Sequence, residues 1–369
     1  AAGPFFVFFI LSNSLAQHAQ LSYPIHMIIK VEKPTLRRKD MDAVLQTMAD
    51  EQIGPGEQTK TFIALLQETL GTSGYAVALR DIIDALTYAL KGLALPADAV
   101  VGISALSPNI YETVVSSVGC RTEIFDIDPE TGTISFDALK EHGTDNVSAL
   151  ILYEPYGNIP SNNDWKSLGI PIIEDITESL GSVYGERAAG GIGDIVVCAF
   201  EEYCTVSTAG GAAISTSDME IAARIETVLQ PILQYIELPG MNAALGVVQL
   251  AQMQKNLSRR KVVYDRYRQS LMKTRHQLFG VKDIDFSING HGFVVVLDSK
   301  PSDVQQFASR YEVATTMAFM HTVISDQLDR FDLFPQAIPC VTRAIRFPLY
   351  PFLSNQQILQ IEKVISHLP

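Results

Sequence analysis

From about Lys30 to Ser270, short apolar runs alternate with amphipathic helical segments, and this alternation constrains the fold more than any other feature. The runs AVVGI, TEIFDI, SALILYEPY, PIIEDI, DIVVCAF and GAAIST lack the strict polar–apolar alternation of half-exposed strands. Such strands are typical of a parallel sheet that helices cover on both faces. The sequence therefore predicts an α/β domain with a mostly parallel sheet.

Two of the helical segments carry specific expectations. The segment MDAVLQTMADEQI places Met41, Val44 and Met48 at helical spacing. A long helix is predicted from Asn242 to Met272, and it carries the basic cluster Arg259-Arg260-Lys261. We interpret this cluster as a solvated helix face rather than an anion site.

The C-terminal part of the chain changes pattern. HGFVVVLD and AIRFPLYP are typical of strands, and each is followed by a predicted helix. The first helix is expected to begin with a capping box formed by Ser302 and Gln305, the second with one formed by Ser354 and Gln357. This region is predicted to form a compact α+β domain.

The domain boundaries follow from these patterns. Residues 1–26 contain the apolar run GPFFVFFIL, which is too short to span a bilayer and has no Lys or Arg before it. We expect residues 1–26 to be an N-terminal extension or leader outside the fold, because Met27 begins a plausible natural start. Residues 27–272 are predicted to form the large domain, and residues 273–369 the small C-terminal α+β domain.

Charge and cysteine content exclude several classes of partner. The net charge is −13 and the pI is near 5, so the chain lacks the basic surface that nucleic acids or anionic membranes require. The four cysteines show neither a CxxC pair nor the spacing of zinc ligands, so no metal site is predicted. Free thiols in a reducing cytoplasm fit this pattern best.

Three stretches hold candidate chemical groups. PIIEDI ends a strand with Asp175, either at a ligand crevice, where it would hold a protonated pyridine nitrogen, or as a helix N-cap. GGIGDIVVCAF contains a glycine-rich turn that a tight connection before a strand explains equally well. Cys204 in AFEEYCTVSTAGG is either a packed thiol or a nucleophile, and no histidine lies nearby in sequence.

Taken together, the segments resemble the DegT/StrS-type sugar aminotransferases, fold-type-I enzymes that use pyridoxal phosphate (PLP). The resemblance is carried by IGPGEQTKTFIALLQETLG, FDIDPETGTISFDAL, PIIEDITESLGSVYGERAAGGIGDIVVCAF, GGAAISTSDMEIAARI, AALGVVQLAQMQKNLSRRKVVYDRY and IRFPLYPFLSNQQILQIEKVI. It implies a large domain with a small C-terminal domain, a homodimer, and nucleotide-linked keto-sugars as ligands.

The resemblance also assigns site positions. Asp175 falls on the aspartate that binds the pyridine nitrogen, and Glu178 falls where the family usually has Gln. Cys204 falls on the Schiff-base lysine, and no lysine occurs from Glu186 to Gln254. Ala199 replaces a serine that binds the cofactor phosphate.

Three further positions depart from the family pattern. Arg80-Asp81-Ile82 replaces the Ser-Gly-Thr phosphate turn, and the aromatic residue that stacks on the cofactor falls near Leu106 or Pro108. Tyr235-Ile236-Glu237 replaces an Asn-x-Arg that reaches into the partner subunit's site. Asp81 and Glu237 therefore bring carboxylates to a site that elsewhere receives a phosphate.

These losses predict a catalytically degenerate sugar-aminotransferase homologue of the nucleotide-sugar or polysaccharide biosynthesis type, with Cys204 inactive and no tightly bound cofactor. Two alternatives stay open. The chain is an enzyme that binds PLP or pyridoxamine phosphate (PMP) non-covalently, as an aminotransferase or dehydratase. Otherwise it is a regulatory subunit that forms a heterodimer with an active paralogue.

Overall fold

The computed structural model describes residues 28–142, 146–161 and 164–369. The predicted leader, residues 1–26, lies outside the described residues. The α-helices are α1 (Arg38–Ala49), α2 (Glu57–Leu70), α3 (Ile82–Gly92), α4 (Ile110–Ser117), α5 (Phe136–His142), α6 (Met219–Leu229), α7 (Leu233–Ile236), α8 (Gly240–Leu271), α9 (Pro301–Arg310), α10 (Ala337–Arg343) and α11 (Asn355–Ile365). The strands are β1 (Tyr75–Leu79), β2 (Val100–Ser104), β3 (Arg121–Phe125), β4 (Ala149–Tyr153), β5 (Ile172–Asp175), β6 (Val183–Tyr184), β7 (Arg187–Ala188), β8 (Ile195–Ala199), β9 (Ala212–Thr216), β10 (Gln277–Leu278), β11 (Phe286–Ser287), β12 (Phe293–Val296), β13 (Thr316–Met317) and β14 (Ala344–Phe347).

The central sheet has seven strands in the order β1-β9-β8-β5-β4-β2-β3. Strands β3, β2, β4, β5 and β8 run parallel, and only β9 pairs antiparallel with its neighbours β8 and β1. Side chains of β4 and β8 are buried throughout, as the unbroken apolar runs predict. The predicted α/β fold with a mostly parallel sheet is confirmed.

A second, antiparallel sheet of four strands, β10-β12-β14-β13, lies in the C-terminal part of the chain. Its core includes Ile358, Ile361 and Ile365 of α11, together with Val263 from the last third of α8 and Ile29 from the N-terminal segment. The compact α+β character of this region is confirmed. The division of the chain at residue 272 stays a prediction.

The two predicted capping boxes have opposite outcomes. Ser354 caps α11 by accepting a hydrogen bond from the Gln357 backbone N–H at 3.2 Å, so this box is confirmed. The box at Ser302 is wrong, because α9 already begins at Pro301 with Lys300 as its N-cap. Proline is favoured at the first helical position, since its fixed φ suits the helix and its missing N–H needs no partner.

Helix α1 confirms the predicted helical segment but turns its polar face inward. Met41 and Met48 are 54% and 52% exposed, whereas Asp40 and Thr47 are buried. The Asp40 carboxylate accepts a hydrogen bond from the Gln249 side chain of α8 at 2.7 Å. Because this polar contact fixes the orientation of α1, its apolar side faces outward.

The predicted long helix is confirmed as α8, a helix of 32 residues, but the interpretation of its basic cluster is wrong for Arg260. Arg260 is only 3% exposed, and its guanidinium donates to the backbone carbonyls of Gly290 at 2.9 Å and Leu349 at 3.3 Å. Only Lys261 of the cluster is fully exposed. Within residues 28–142, 146–161 and 164–369, no helix combines the length and apolar character that crossing a bilayer requires.

Candidate functional site

The candidate site lies at the carboxyl ends of β4, β5 and β8. The parallel register places Tyr153 opposite Asp175, and Asp175 opposite Val197, two residues before β8 ends at Ala199. In open α/β sheets, ligands bind in the crevice at these strand ends. The register thus brings together Asp175, Glu178 and the loop that contains Cys204.

Both carboxylate oxygens of Asp175 already have donors within the chain. Oδ1 accepts from the backbone N–H of Thr177 at 2.9 Å and from its hydroxyl, while Oδ2 accepts from the hydroxyl of Tyr111. Asp175 is 4% exposed, and burial raises its pKa although these hydrogen bonds lower it. Asp175 therefore holds the turn at Thr177. The helix N-cap interpretation is wrong, because only a turn, and no helix, lies between β5 and β6.

Tyr111, on α4, is a site residue that the sequence analysis missed. Its side chain is 1% exposed, and its ring packs edge-on against Tyr153 with centroids 6.2 Å apart. Burial and the Asp175 carboxylate raise its pKa well above the usual range. Nothing in the sequence links Tyr111 to Asp175, because the two residues lie 64 positions apart and meet only in the folded chain.

Glu178 is partly buried and accepts a hydrogen bond from within the chain. Its carboxylate accepts a hydrogen bond from the Tyr156 backbone N–H at 2.7 Å and lies 3.9 Å from His291 Nε2. Burial raises the pKa of Glu178, and it lowers the pKa of His291, with Arg260 and Arg346 adding to that lowering. His291 is therefore neutral near pH 7, so Glu178 and His291 do not form an ion pair.

Cys204 is a packed thiol. It is 8% exposed, and burial raises its pKa to about 12. The nearby carboxylates of Glu178, Glu201 and Asp175 act in the same direction, so the thiol stays protonated near pH 7. A protonated thiol is neither a strong nucleophile nor a general base. The geometry thus favours the packed-thiol interpretation over the nucleophile.

The loop around Cys204 is held by backbone hydrogen bonds. Phe200 N donates to Gly211 O at 2.8 Å, and Thr208 N donates back to Phe200 O at 3.0 Å. Gly211 has a φ of 127°, and a side chain there would meet Leu238 at 2.6 Å. The glycine step is therefore required by backbone geometry, independently of any chemistry at Cys204.

Carboxylates surround the N-terminus of α3, where the resemblance places the phosphate turn. Asp81 is the N-cap of α3, and its side chain accepts from the Asp84 N–H at 2.8 Å. Glu201 lies close enough that burial and Asp81 both raise its pKa, and Glu237 bridges Leu79 at the end of β1. The helix end that elsewhere binds an anion carries its own carboxylate here.

Of the remaining predicted positions, only Arg80 carries a side chain that could bind a phosphate. Ala199 has only its backbone N–H, which donates to the Thr177 hydroxyl at 2.9 Å. Arg80 is exposed, and its backbone N–H donates to Ile236 O at 2.8 Å. Leu106 and Pro108 line a neighbouring cleft of about 380 Å³ that Glu178 also lines.

These residues fit PLP poorly. The cofactor requires an amine for its aldehyde, donors for a phosphate of about −1.5 to −2 charges, and a carboxylate for its ring nitrogen. The chain offers a protonated thiol at Cys204 and carboxylates at Asp81 and Glu201. Its retained carboxylate, Asp175, is already bonded to Tyr111 and Thr177.

The glycine-rich turn of GGIGD has a structural role. Its backbone N–H groups at Gly190, Ile192 and Gly193 donate to the Glu174 carboxylate at 2.7, 2.8 and 2.6 Å. Glu174 in turn contacts Glu154, which is fully buried and accepts from the hydroxyl of Ser179. The turn therefore anchors β5 from the face of the sheet opposite to Asp175.

Comparison with known proteins places the chain in a family of aminotransferases. A sequence profile of the "DegT/DnrJ/EryC1/StrS aminotransferase family" matches residues 34–367. The chain is 24% identical over 381 aligned positions to a dTDP-4-dehydro-2,3,6-trideoxy-D-glucose 4-aminotransferase of Saccharopolyspora spinosa, covering 92% of this chain and 97% of that protein. It is 22% identical to the spore coat polysaccharide biosynthesis protein SpsC of Bacillus subtilis, covering 91% and 95%.

Solved structures agree with the fold. The aminotransferase TlmJ of Streptoalloteichus hindustanus superimposes with a TM-score of 0.82 at 22% identity, covering 92% of this chain and 98% of that one. At this identity the similarity establishes the architecture, a fold-type-I arrangement of a large and a small domain, and leaves the chemistry to the site residues.

Proposed function

We propose that this chain, which belongs to the DegT/DnrJ/EryC1/StrS aminotransferase family, is a catalytically degenerate member that keeps the fold for a binding role. Its relatives by name act on a dTDP-linked sugar or in polysaccharide biosynthesis. We therefore propose a nucleotide-linked sugar as its ligand class.

One observation carries the proposal: the loop at the family's lysine position supplies no amine. No lysine occurs from Glu186 to Gln254, and the loop presents Cys204, whose pKa is raised to about 12. Transamination needs a primary amine that holds the cofactor aldehyde as an imine and moves a proton at the substrate carbon. A protonated thiol does neither.

The acidic phosphate position supports the same proposal. A carboxylate such as Asp81 about 4 Å from a phosphate charge costs roughly 1 kcal/mol in water and about 4 kcal/mol at an effective dielectric of 20. The larger value corresponds to about three decades of affinity. Since Asp81 is only partly buried, solvent screens part of this repulsion. Glu201 adds to the repulsion on the same side of the site.

Helix α1 supports a protein partner. Met41, Leu45 and Met48 are 54%, 60% and 52% exposed, and their spacing places them on one side of the helix. Large apolar side chains exposed together favour a protein interface over free solvent. We propose that this side of α1 contributes to a homodimer, or to a heterodimer with a lysine-bearing paralogue. The four free cysteines support a reducing compartment such as the cytoplasm.

The test is a titration of the purified chain with PLP and, separately, with PMP, followed by absorbance and calorimetry. We expect dissociation constants weaker than about 100 μM for both, because phosphate repulsion, even after solvent screening, removes up to about three decades of affinity. The matched variant Cys204→Lys should not change the absorbance of PLP, since the acidic phosphate position is untouched. Pyridoxal, which lacks the phosphate, controls for reaction of the aldehyde with surface lysines.

Micromolar binding of either cofactor by the wild-type chain would contradict the proposal and favour the non-covalent enzyme. Transamination by Cys204→Lys alone would show that the phosphate position has been misassigned. Activation of a lysine-bearing paralogue on mixing would instead favour the regulatory subunit.

A further inference from the structure

A cleft of about 380 Å³ opens beside Tyr153 at the end of β4, next to strand β13. Tyr153, Tyr156 and Glu178 line it from the large domain, and Arg346 lines it from β14. A further lining residue, Glu32, comes from the segment that precedes α1. A cleft of this size lies in the range of small-molecule sites and accommodates a single sugar ring.

We infer that this cleft binds a sugar-sized ligand with one carboxylate, that Arg346 is its anion-binding residue, and that Glu32 holds the place of the ligand carboxylate. The inference rests on the proposed binding role of the crevice and specifies the ligand class. Its two central side chains, Arg346 and Glu32, are not among the cofactor positions discussed above, whereas Glu178, Leu106 and Pro108 are shared with them.

Arg346 is a fixed, buried cation. It lies in β14 opposite Val294 of β12 and Thr316 of β13, and its side chain is 13% exposed. Its guanidinium lies 5.8 Å from the centre of the Tyr156 ring, a cation–π contact that orients it along the cleft wall. A buried guanidinium needs an anionic partner, because an unpaired buried charge is strongly destabilising.

Glu32 supplies that partner from a more exposed position. Its carboxylate forms an ion pair with Arg346, and its side chain is 35% exposed. It lies between two anchors of the chain, Ile29, which bridges Val313, and Thr35, whose carbonyl accepts from Gln249. The short stretch between the anchors forms neither helix nor strand. Glu32 can therefore move outward while Arg346 stays in place.

Charge balance favours a monoanion. Glu178 lies near Arg346 on the same wall, so the carboxylates of Glu178 and Glu32 share one guanidinium. The other buried guanidinium nearby, that of Arg260, is bound to backbone carbonyls. A ligand carboxylate that replaces Glu32 beside Arg346 leaves the number of charges unchanged, and it can pair with the planar guanidinium as the Glu32 carboxylate does. A phosphate dianion would add negative charge beside Glu178.

The rest of the cleft suits a sugar ring. Tyr156 and Phe319 pack edge to face with centroids 5.4 Å apart and present aromatic surface, while Thr316, Thr322 and the Glu178 carboxylate offer groups for hydroxyls. The Tyr156 hydroxyl donates to the Ala318 carbonyl at 2.6 Å, which fixes the ring in place. Aromatic surface with a few polar groups is the usual composition of small-molecule pockets.

The test compares D-glucuronate, D-glucose and inorganic phosphate by calorimetry and by thermal denaturation of the full chain. We expect glucuronate to bind more tightly than glucose or phosphate. Glu32→Gln should strengthen glucuronate binding by about tenfold, because the ligand no longer competes for Arg346. Arg346→Met should weaken it by about tenfold or more, and neither variant should change glucose binding.

The matched control is Asp42→Asn, which removes an exposed carboxylate that pairs with Arg38 on α1 at 3.6 Å. It should leave glucuronate binding unchanged. Glucuronate should also raise the melting temperature of Glu32→Gln more than that of the wild type, because the ligand restores the missing partner of Arg346. A purely structural ion pair predicts no such ligand-specific rescue.

Equal affinity for glucose and glucuronate, preferential binding of phosphate, or unchanged glucuronate affinity in Glu32→Gln would each overturn the inference. If circular dichroism shows that Arg346→Met does not fold, the glucuronate affinity of Glu32→Gln alone tests the inference. The outcome is independent of the PLP titration. Tight cofactor binding would overturn the proposed function, but the affinities for glucuronate and glucose could still be measured and compared.

Discussion

Glu174 and Asp175 are neighbours in β5, yet they serve different regions of the molecule. Glu174 receives three backbone N–H groups from the glycine-rich turn on one face of the sheet. Asp175 faces the crevice and receives the hydroxyls of Tyr111 and Thr177. The region around Glu174 is stabilised mainly by backbone N–H groups. The region around Asp175 is stabilised mainly by side-chain hydroxyls, which a substitution can remove. The comparison teaches that two neighbouring carboxylates of one strand can have different roles, because the pleat places them on opposite faces of the sheet.

The largest expected effect comes from Glu174→Gln. Its amide N–H₂ would face backbone donors, and the lost charge-assisted bonds should lower the free energy of unfolding by roughly 2–4 kcal/mol. Asp175→Asn is the matched variant and should change it by about 1 kcal/mol or less, because an amide can still accept from Thr177 and donate to Tyr111. Urea denaturation measures both. Equal losses in the two variants would remove the distinction between the two faces.

The second prediction concerns pH and the structural face. Burial, and then Glu174, raise the pKa of Glu154 well above its ordinary value of 4.5. A raised pKa in the folded state means that the stabilising contribution is complete below about pH 4.5 and is lost as pH rises toward the folded pKa. Glu154→Gln should therefore gain stability relative to the wild type by up to about 1.4 kcal/mol per pH unit above pH 5.

Urea denaturation at several values between pH 5 and pH 8 checks this. The amide introduced by Glu154→Gln can accept from Ser179 and donate to Glu174, so the buried contacts are retained. Glu68→Gln, at an exposed position of α2, is the control, and its free energy of unfolding should depend on pH in the same way as that of the wild type. If the free energies of unfolding of Glu154→Gln and the wild type differ by the same amount at every pH in this range, then Glu154 is not the group that stays protonated in the folded chain.

The third prediction concerns the reactivity of the crevice thiol. Burial raises the pKa of Cys204 to about 12, so its thiolate fraction near pH 8 should be on the order of a thousandfold below that of an exposed cysteine. Iodoacetamide at pH 8 should leave Cys204 unlabelled in the folded chain and label all four cysteines in urea, as read by peptide mass spectrometry. Faster labelling of folded than of unfolded Cys204 would indicate an activated thiolate and restore a catalytic role.

Local patterns predicted the parts of the structure that local physics controls. Buried parallel strands follow from unbroken apolar runs, and the cap at Ser354 follows from a side chain that reaches its own helix. The cap at Ser302 failed because Pro301 is the stronger local signal. The orientation of α1 and the burial of Arg260 could not be predicted, because each depends on partners far along the chain, Gln249 for Asp40 and Gly290 for Arg260.

The candidate site divides in the same way. Asp175 was proposed because it ends a predicted strand, whereas Glu178 and Cys204 were assigned to the site by the family resemblance. Tyr111 and Arg346 were missed, since an isolated tyrosine on a helix or an arginine in a strand has no local signature of a binding site. Their roles depend on contacts with Asp175 and with Glu32, at sequence separations that no periodicity reports.

The sequence by itself determined the alternation of strands and helices and the absence of any lysine from the loop that contains Cys204, because both are properties of residues along the chain. The tertiary structure decided the protonation of Cys204, the pairing of Tyr111 with Asp175, and the ion pair between Arg346 and Glu32. These depend on burial and on distances across the fold, which set the local dielectric and charge environment of each group.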